Sequence, residues 1–365
     1  MADIVEKGEG AIALSPINID SNCLTYEKDN TYISTYKYEE SPEIKIFAGD
    51  IIFVKTGSTV GKVAFVDNII DRTTLNPQLV VLKQVKCNPY FLYLLMAAPC
   101  FQKHIKRITV GGAVPTLSQN EMGRIRITLP PNAEQDRISA LFKLLNYRIE
   151  TQKKIIEKYE SLIRGIVETH YSQCECIKQV RISELGEPFT TMNISKEDLS
   201  EEGNECILYG ELFTTYGCVI KEVKSRTHIS TDKATISRSN DLLFPASTTV
   251  DAMSLIAPSA ICKEGVILGG DLFGVHVNKD YNNEYLSYLI NYIYKSKLAR
   301  YAQGSTIIHL YYSDIKKAKL LLPTIEEQNY LAYLMRGVEE KFNIEKDMLS
   351  QLYRQKAYLL SNLFI

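Results

Sequence analysis

The chain has 365 residues, 45% of them hydrophobic and 23% charged, with a net charge of −1. These are globular values with room for two domains, and they exclude a surface that is basic overall. Any contact with nucleic acid has to come from local patches. The eight cysteines are scattered, and the one close pair is Cys174-Glu-Cys176. With no signal peptide, that pattern fits free thiols in a reducing cytoplasm rather than a disulfide framework. The longest apolar runs, such as Phe91–Ala98, fall well short of the ~20 residues a membrane span needs. Tyrosine is abundant (23) and tryptophan absent, which suits either a contact surface or half-buried strands.

The first distinctive element is the apolar run Ile51–Val54 followed by Lys55–Val63, "KTGSTVGKV". Glycines, hydroxyls and a Gly-Lys pair suggest a phosphate cradle, but a P-loop separates its two glycines by four residues. Here Gly57 and Gly61 are separated by three, and Val63 stands where a magnesium-holding hydroxyl would be. The β-branched sequence downstream predicts strand and turn rather than a helix whose N-terminus meets phosphate. A glycine-containing turn between two strands fits the local pattern.

Next come a short predicted helix, Asn88–Met96 "NPYFLYLLM", and the basic stretch Phe101–Gly112 "FQKHIKRITVGG". Lys103, His104, Lys106 and Arg107 stand there without an acid among them. Such residues could clamp phosphates, or simply complement a helix C-terminus.

From here the sequence repeats itself. Gly111–Gln135 and Gly304–Gln328 both obey G-x5-L-x11-L-P-x3-E-Q at an offset of 193. Asn88–Met96 matches Asn282–Ile290 at 194, and Gly49–Phe53 "GDIIF" matches Asn240–Phe244 "NDLLF" at 191. The chain is therefore expected to be a tandem duplication, each unit ordered as strand-rich globule, short helix, strand, Leu-Pro and long helix. The expected α+β organisation is a first globule at 1–110, a helical region at 111–175, a second globule at 176–303 and a second helical region at 304–365.

The long helices are predicted over Glu134–Tyr171 and Gln328–Asn362, roughly 55 Å each at 1.5 Å per residue. With Ile138 as heptad position a, the apolar stripe occupies a, d (Leu141, Ile155, Leu162) and e (Phe142, Ile149, Ile156, Ile163). The second copy repeats it with Leu331, Val338, Leu352 and Leu359 at a, and Met335, Phe342 and Leu349 at e. Both copies lose the stripe at one place: Arg148 and Gln152 in one, Lys341 and Glu345 in the other. An antiparallel coiled coil would bring these interruptions together, with Arg148–Glu345 the most favourable pairing. The bland alternative is two amphipathic helices, each packed on its own globule.

This order of elements, with helices introduced by "LPPNAEQDRI" and "LPTIEEQNYL" and with the cores "AGDIIFVKTGSTVGKVAFV" and "SNDLLFPASTTVDAM", resembles the specificity subunit of type I restriction–modification systems along essentially the whole chain. The resemblance implies two target-recognition domains, each reading one half of a split, asymmetric double-stranded DNA site, spaced by antiparallel helices that dock two methyltransferase subunits. It implies adenine N6 methylation with S-adenosylmethionine held by the partner, and no cofactor and no catalysis in this chain. Motor and endonuclease subunits would add defence against foreign DNA. One departure concerns the opening segment of the second unit, "CIKQVRISELGEPFTTMNI" from Cys176, whose counterparts fall before Met1. The first recognition domain is accordingly expected to be N-terminally short.

The resemblance gives the first loop another purpose. Its counterpart replaces Lys55–Thr59 with Ala246–Val250, and Gly61 and Lys62 with Ala252 and Met253. The frame (Asp50/Asp241, Phe53/Phe244) is kept while the tips differ, as expected of readers of different words. Candidate DNA contacts are Lys55, Thr56, Gly57 (through its N–H), Ser58, Thr59 and Lys62 in the first copy, and Ser247, Thr248 and Thr249 in the second. Lys103, Lys106 and Arg107, with their counterparts Lys295, Lys297 and Arg300, are candidates for phosphate; Arg226 and Arg238 complete the set, with His228 nearby in sequence. No enzymatic signature stands beside these. The five histidines show no metal spacing, no nucleophile elbow is visible, and Asn76 "NPQL" lacks the second proline and the aromatic of an adenine methyltransferase motif. The competing readings are a helical scaffold with peptide-binding globules, which the diverged tips disfavour, and a nucleotide enzyme, which the loop spacing disfavours.

Overall fold

A computed structural model describes residues 4–27, 29–109, 114–174 and 178–364. The sequence landmarks Gly111, Gly112 and Cys176 lie outside the described residues. The chain forms two compact units, one made of 1–153 with 347–365 and the other of 154–346. Each is α+β, and each contains part of both long helices.

In the first unit a four-stranded sheet is ordered Ile4–Val5, Thr31–Ile33, Ala11–Leu14, Thr73–Leu75. A five-stranded sheet is ordered Ile19–Asp20, Cys23–Leu24, Val63–Phe65, Ile51–Val54, Leu79–Leu82. Ile51–Val54 is buried along its whole length, so it reads as a continuous apolar run rather than an alternating one. Ile12, Leu14, Ile52, Val54 and Ala64 form one core cluster, while Ile51, Phe53 and Val63 join the helix Pro89–Ala97 in another. That helix is capped by the Asn88 side chain, which accepts from the Phe91 N–H at 3.0 Å. It ends at Ala98-Pro99, where a second helix, Pro99–Ile108, begins.

The second unit contains a five-stranded sheet ordered Gly186–Thr190, Leu272–Val277, Asp241–Pro245, Ser259–Ile261, Val219–Ile220. A second runs Leu199–Ser200, Ser225–Thr227, Asn204–Leu208, Ile267–Gly269, Thr235–Ile236. Two ribbons accompany them: Lys178–Arg181 with Lys319–Leu322, and Ser247–Thr248 with Ile308–His309, both antiparallel. The short helix Asn283–Leu289 is capped by Asn282 as its counterpart is by Asn88. It runs on through a π-helical turn into Lys295–Ala299.

The long helices span Asn132–Gln173 and Ile325–Asn362, 42 and 38 residues, two or three residues beyond most of the predicted ends. They run antiparallel. In the first unit Leu145 and Ile149 cluster with Leu352, and the rings of Phe142 and Phe364 lie 6.3 Å apart. In the second, Tyr159 meets Phe342 at 6.4 Å, and His170 stacks on Tyr330 at 6.4 Å. The buried seam is narrower than the predicted stripe. Positions a and e turn inward, but the d residues Leu141 and Leu162 are 45% and 48% exposed. At d in the second helix Leu334, which matches Leu141, and Met348, which matches Ile155, are 41% and 40% exposed. Gln152 is buried within the seam, whereas Arg148 and Lys341 face solvent.

The repeated Gln of the Leu-Pro-x3-Glu-Gln motif proves to be a clamp. Gln135 accepts from the Asn88 N–H at 3.0 Å and donates to the Pro130 carbonyl at 2.8 Å. Gln328 does the same with Asn282 at 3.0 Å and Pro323 at 2.9 Å. Both are almost completely buried. One amide thus ties the start of each long helix to the Leu-Pro turn and to the cap of the short helix.

Candidate DNA-reading loops

In both units the candidate loop hangs from the same backbone frame. Asp50 accepts from the Phe47 N–H at 2.9 Å, and Asp241 accepts from the Arg238 N–H at 2.8 Å, which fixes the turn before the buried strand. At the end of that strand the Lys55 N–H donates to the Gln78 carbonyl (2.9 Å), and the Lys55 carbonyl accepts from the Leu117 N–H (2.8 Å). Ala246 makes the corresponding bonds to Asp271 (2.8 Å) and Leu310 (2.9 Å). The next residues bridge the same partners: Thr56 pairs with Thr116, and Ser247 with His309.

Beyond the frame the loops diverge. The first is a hairpin tip: Ile51–Val54 and Val63–Phe65 pair antiparallel, and Gly57 and Gly61 turn the chain with φ of +107° and +98°. A strand rather than a helix follows it, so the phosphate-cradle geometry is absent. Gly61 is pressed on the helix Pro99–Ile108, with the Gln102 side chain donating to its carbonyl at 2.7 Å; a Cβ there would stand 2.9 Å from Gln102 Oε1. The Gly57 N–H, a predicted DNA contact, is already bonded to the Pro115 carbonyl at 2.9 Å. Gly57 therefore contributes its backbone angle rather than an open donor. Ser58 is exposed, while Lys55, Thr56, Thr59 and Lys62 are half-buried. Thr56, Ser58, Thr59 and Lys62 line one shallow cleft with Ser15, Ile17 and Gln78. Lys62 Nζ reaches the Ile19 carbonyl at 3.3 Å.

The second loop keeps strand geometry longer. Ser247 and Thr248 pair with Ile308–His309 and are 7% and 9% exposed, so their hydroxyls do not stand at a solvent-facing tip. Thr249 and Val250 are exposed instead, and a short helix, Ala252–Leu255, follows with Asp251 as its cap.

The basic candidates separate by burial. Phe101 and Ile105 anchor Pro99–Ile108 to the core, leaving Lys103, His104, Lys106 and Arg107 exposed around its outer face. Their counterparts are more engaged. Lys295 is half-buried, and burial pulls its ammonium below the usual lysine range. It lines a cleft of about 620 Å³ together with Thr248, Val250, Arg164, Lys346 and Glu339. Lys297 lies over the Tyr294 ring at 5.3 Å, and Arg300 is exposed just beyond the helix. Arg226 is exposed on its strand and donates to the Gly203 carbonyl at 3.0 Å. Arg238 is exposed, with its backbone N–H committed to Asp241, and His228 is exposed.

The sequence reading missed Glu339. Its carboxyl is pushed up to about 7, chiefly by burial, and it faces the cleft shared by Lys295 and Thr248. Its counterpart at the offset of 193 is Asn146, and a lone Glu in a heptad gives no signal of its surroundings.

Two globules of one pattern, each with a framed loop, and a pair of antiparallel helices define a duplicated α+β architecture. The chain belongs to the family of type I restriction modification DNA specificity domains, whose model matches residues 13–161 and 175–354. It is 23% identical over 357 residues to a putative type I restriction enzyme MjaX specificity subunit of Methanocaldococcus jannaschii, covering 90% of this chain and 81% of that protein. Its fold is similar to that of a type I restriction–modification S subunit from M. genitalium, with a TM-score of 0.59, 15% identity, and coverage of 99% of this chain and 94% of the other. It is also similar to a chain solved in work on complex assembly and conformational transition of the type I R-M system, with a TM-score of 0.56, 16% identity, and coverage of 99% and 93%. Among the described residues no helix is long and apolar enough to cross a membrane.

Proposed function

We propose that this chain reads a bipartite, asymmetric double-stranded DNA site on behalf of an adenine N6 methyltransferase, without catalysing any step itself. The observation that carries the reading is the pair of loops on matched backbone frames with unlike tips: Lys55–Lys62 as a glycine-turned hairpin, and Ala246–Val250 as an extended strand end. Shared frames would let two loops meet two stretches of duplex in the same way, and unlike tips support two different words. Ser58, Thr59, Lys62 and Thr249 are the proposed base or groove contacts, with Lys55 and Thr56 supporting the first tip. Lys103, Lys106, Arg107 and Arg300 are proposed phosphate contacts, with Arg226 and Arg238 beside them. Recognition domains over 1–110 and 176–303, with helical regions over 111–175 and 304–365, follow from this division.

The helices supply a second part of the proposal. Leu141, Leu144, Tyr147 and Met348 in the first unit, and Leu334 and Ile344 in the second, are each at least 40% exposed, and exposed apolar positions recurring along a helix suit docking. We assign these surfaces, each within its own unit, to two methyltransferase subunits, which would bring S-adenosylmethionine; motor subunits would join that complex. The test is co-expression with an adenine methyltransferase, co-purification, and sequencing of the modified DNA. A gapped, asymmetric methylated site is the expected result, and an uninterrupted palindrome or no association would contradict the proposal.

A further inference from the structure

We propose that His170, Cys174 and Glu327 form a binding site for a thiophilic divalent cation, Zn²⁺ by the softness of its donors. His170 and Cys174 are one turn apart at the end of the first long helix, on one face. Glu327 stands in the first turn of the second long helix. Each residue offers a ligand atom, and the three atoms lie within 4.8 Å of one another. Cys174 Sγ is 3.7 Å from His170 Nδ1, while Glu327 Oε2 stands 3.2 Å from Nε2 on the other side of the ring, so one nitrogen would take the metal and the partner on the far side would move toward it. Tetrahedral zinc with bonds of about 2.0–2.3 Å separates such ligands by roughly 3.3–3.6 Å.

Two observations favour a cation over a plain ion pair. The His170 side chain is 11% exposed, and its Nε2 is closed to solvent and lacks an aligned hydrogen bond although Glu327 approaches it. The imidazole is also held in place, stacked on Tyr330 and met edge-on by Tyr285 at 6.0 Å. A buried imidazole nitrogen without an aligned hydrogen bond, beside a carboxylate and a thiol, is a donor set that a metal could use. Glu327 is 54% exposed, so it is free to swing by about an ångström to complete a common centre, water filling what the protein leaves open. Among the described residues the first unit has no such set, and the position matching His170 is Leu363. The site would clasp the end of one helix to the start of the other inside the second unit.

The probe is Co²⁺, titrated into the full-length protein after treatment with a chelator and kept reduced. One equivalent should bind with a thiolate-to-cobalt absorption band, displaced by Zn²⁺, and Zn²⁺ should raise the unfolding temperature of the second unit. Cys174→Ser should remove the band. His170→Ala and Glu327→Gln should each weaken binding by at least about tenfold, with helix content by circular dichroism confirming the fold. If a buried substitution prevents folding, the exposed Glu327→Gln variant still decides. No band in the wild type, or binding unchanged in Glu327→Gln and Cys174→Ser, would overturn the proposal.

Discussion

The two units differ most at their sheet edges and least at their loop frames. In the second unit Gly186–Thr190 covers the edge strand Leu272–Val277, and Lys178–Arg181 pairs with Lys319–Leu322. In the first, the matching segments Leu79–Leu82 and Arg126–Leu129 have no strand on those sides among the described residues, and Ile127 and Leu129 are about 40% exposed. The bonds that hold Lys55 and Ala246 nevertheless correspond one for one. The frame of each candidate loop therefore depends on the buried strand before it and the Leu117 or Leu310 segment beside it, and the outer strands can differ without moving it. Sheet completion and the loop frame are separable, as they must be if the tips are to change while the fold persists.

The comparison is broken most severely at what the units share. Replacing Gln328 by Ala strands the Asn282 N–H and the Pro323 carbonyl, and replacing Gln135 strands their counterparts. Each change should destabilise its own unit by about 2–4 kcal/mol, the cost of leaving two buried polar groups unpaired. Urea unfolding with a reporter in each unit checks this; an effect confined to one of the two variants would mean that the clamps are not equivalent.

The next largest effect lies where the units differ. Glu339 has a folded pKa of about 7 against 4.5 in the open chain, so the folded second unit holds the proton more tightly. Its stability should fall as pH rises from about 4.5 through 7, by up to about 3 kcal/mol. Glu339→Gln should flatten that slope and stabilise the unit at pH 8. The first unit has Asn146 at this position and should show no matching step in unfolding followed from pH 5 to 8.

A smaller change is expected in DNA binding. Alanine at Lys103, Lys106 and Arg107 together should weaken binding of the assembled complex across sequences and lower the salt slope by up to about three phosphate contacts. The variant at Lys295, Lys297 and Arg300 should lower it less, because Lys295 is half-buried and Lys297 lies on Tyr294. Loss of affinity for one sequence alone would mark these residues as base readers instead.

Smallest in stability terms is the exposed d column. Leu141→Ala and Leu334→Ala should change stability by no more than about 0.5 kcal/mol yet reduce methyltransferase association measured by co-purification. A stability loss of several kcal/mol would return these residues to the buried seam.

The repeat and both long helices were legible because their signals are local: Leu-Pro, Glu-Gln, and apolar residues every three or four positions. Periodicity alone showed three apolar columns and could not choose which two are buried; Leu141 and Leu334 look no different from Phe142 and Met335 until the partner helix is in place. The loop frames were half legible. Asp50 and Asp241 stood out as constant, but their role as acceptors from Phe47 and Arg238 is a matter of turn geometry. Ser247 and Thr248 read as an exposed hydroxyl tip because their strand partner, Ile308–His309, lies some sixty residues further on. The spent donor of Gly57 has the same origin, since Pro115 arrives from another segment. His170, Cys174 and Glu327 were invisible as a set because the third member comes from the other helix.

The central claim, that each globule reads its own word, is tested most directly by sequencing methylated DNA from the complex carrying residues 177–303 of a relative with a different site. The account predicts that one half of the methylated sequence changes while the other half and the gap stay the same. A change in both halves, or in neither, would contradict it.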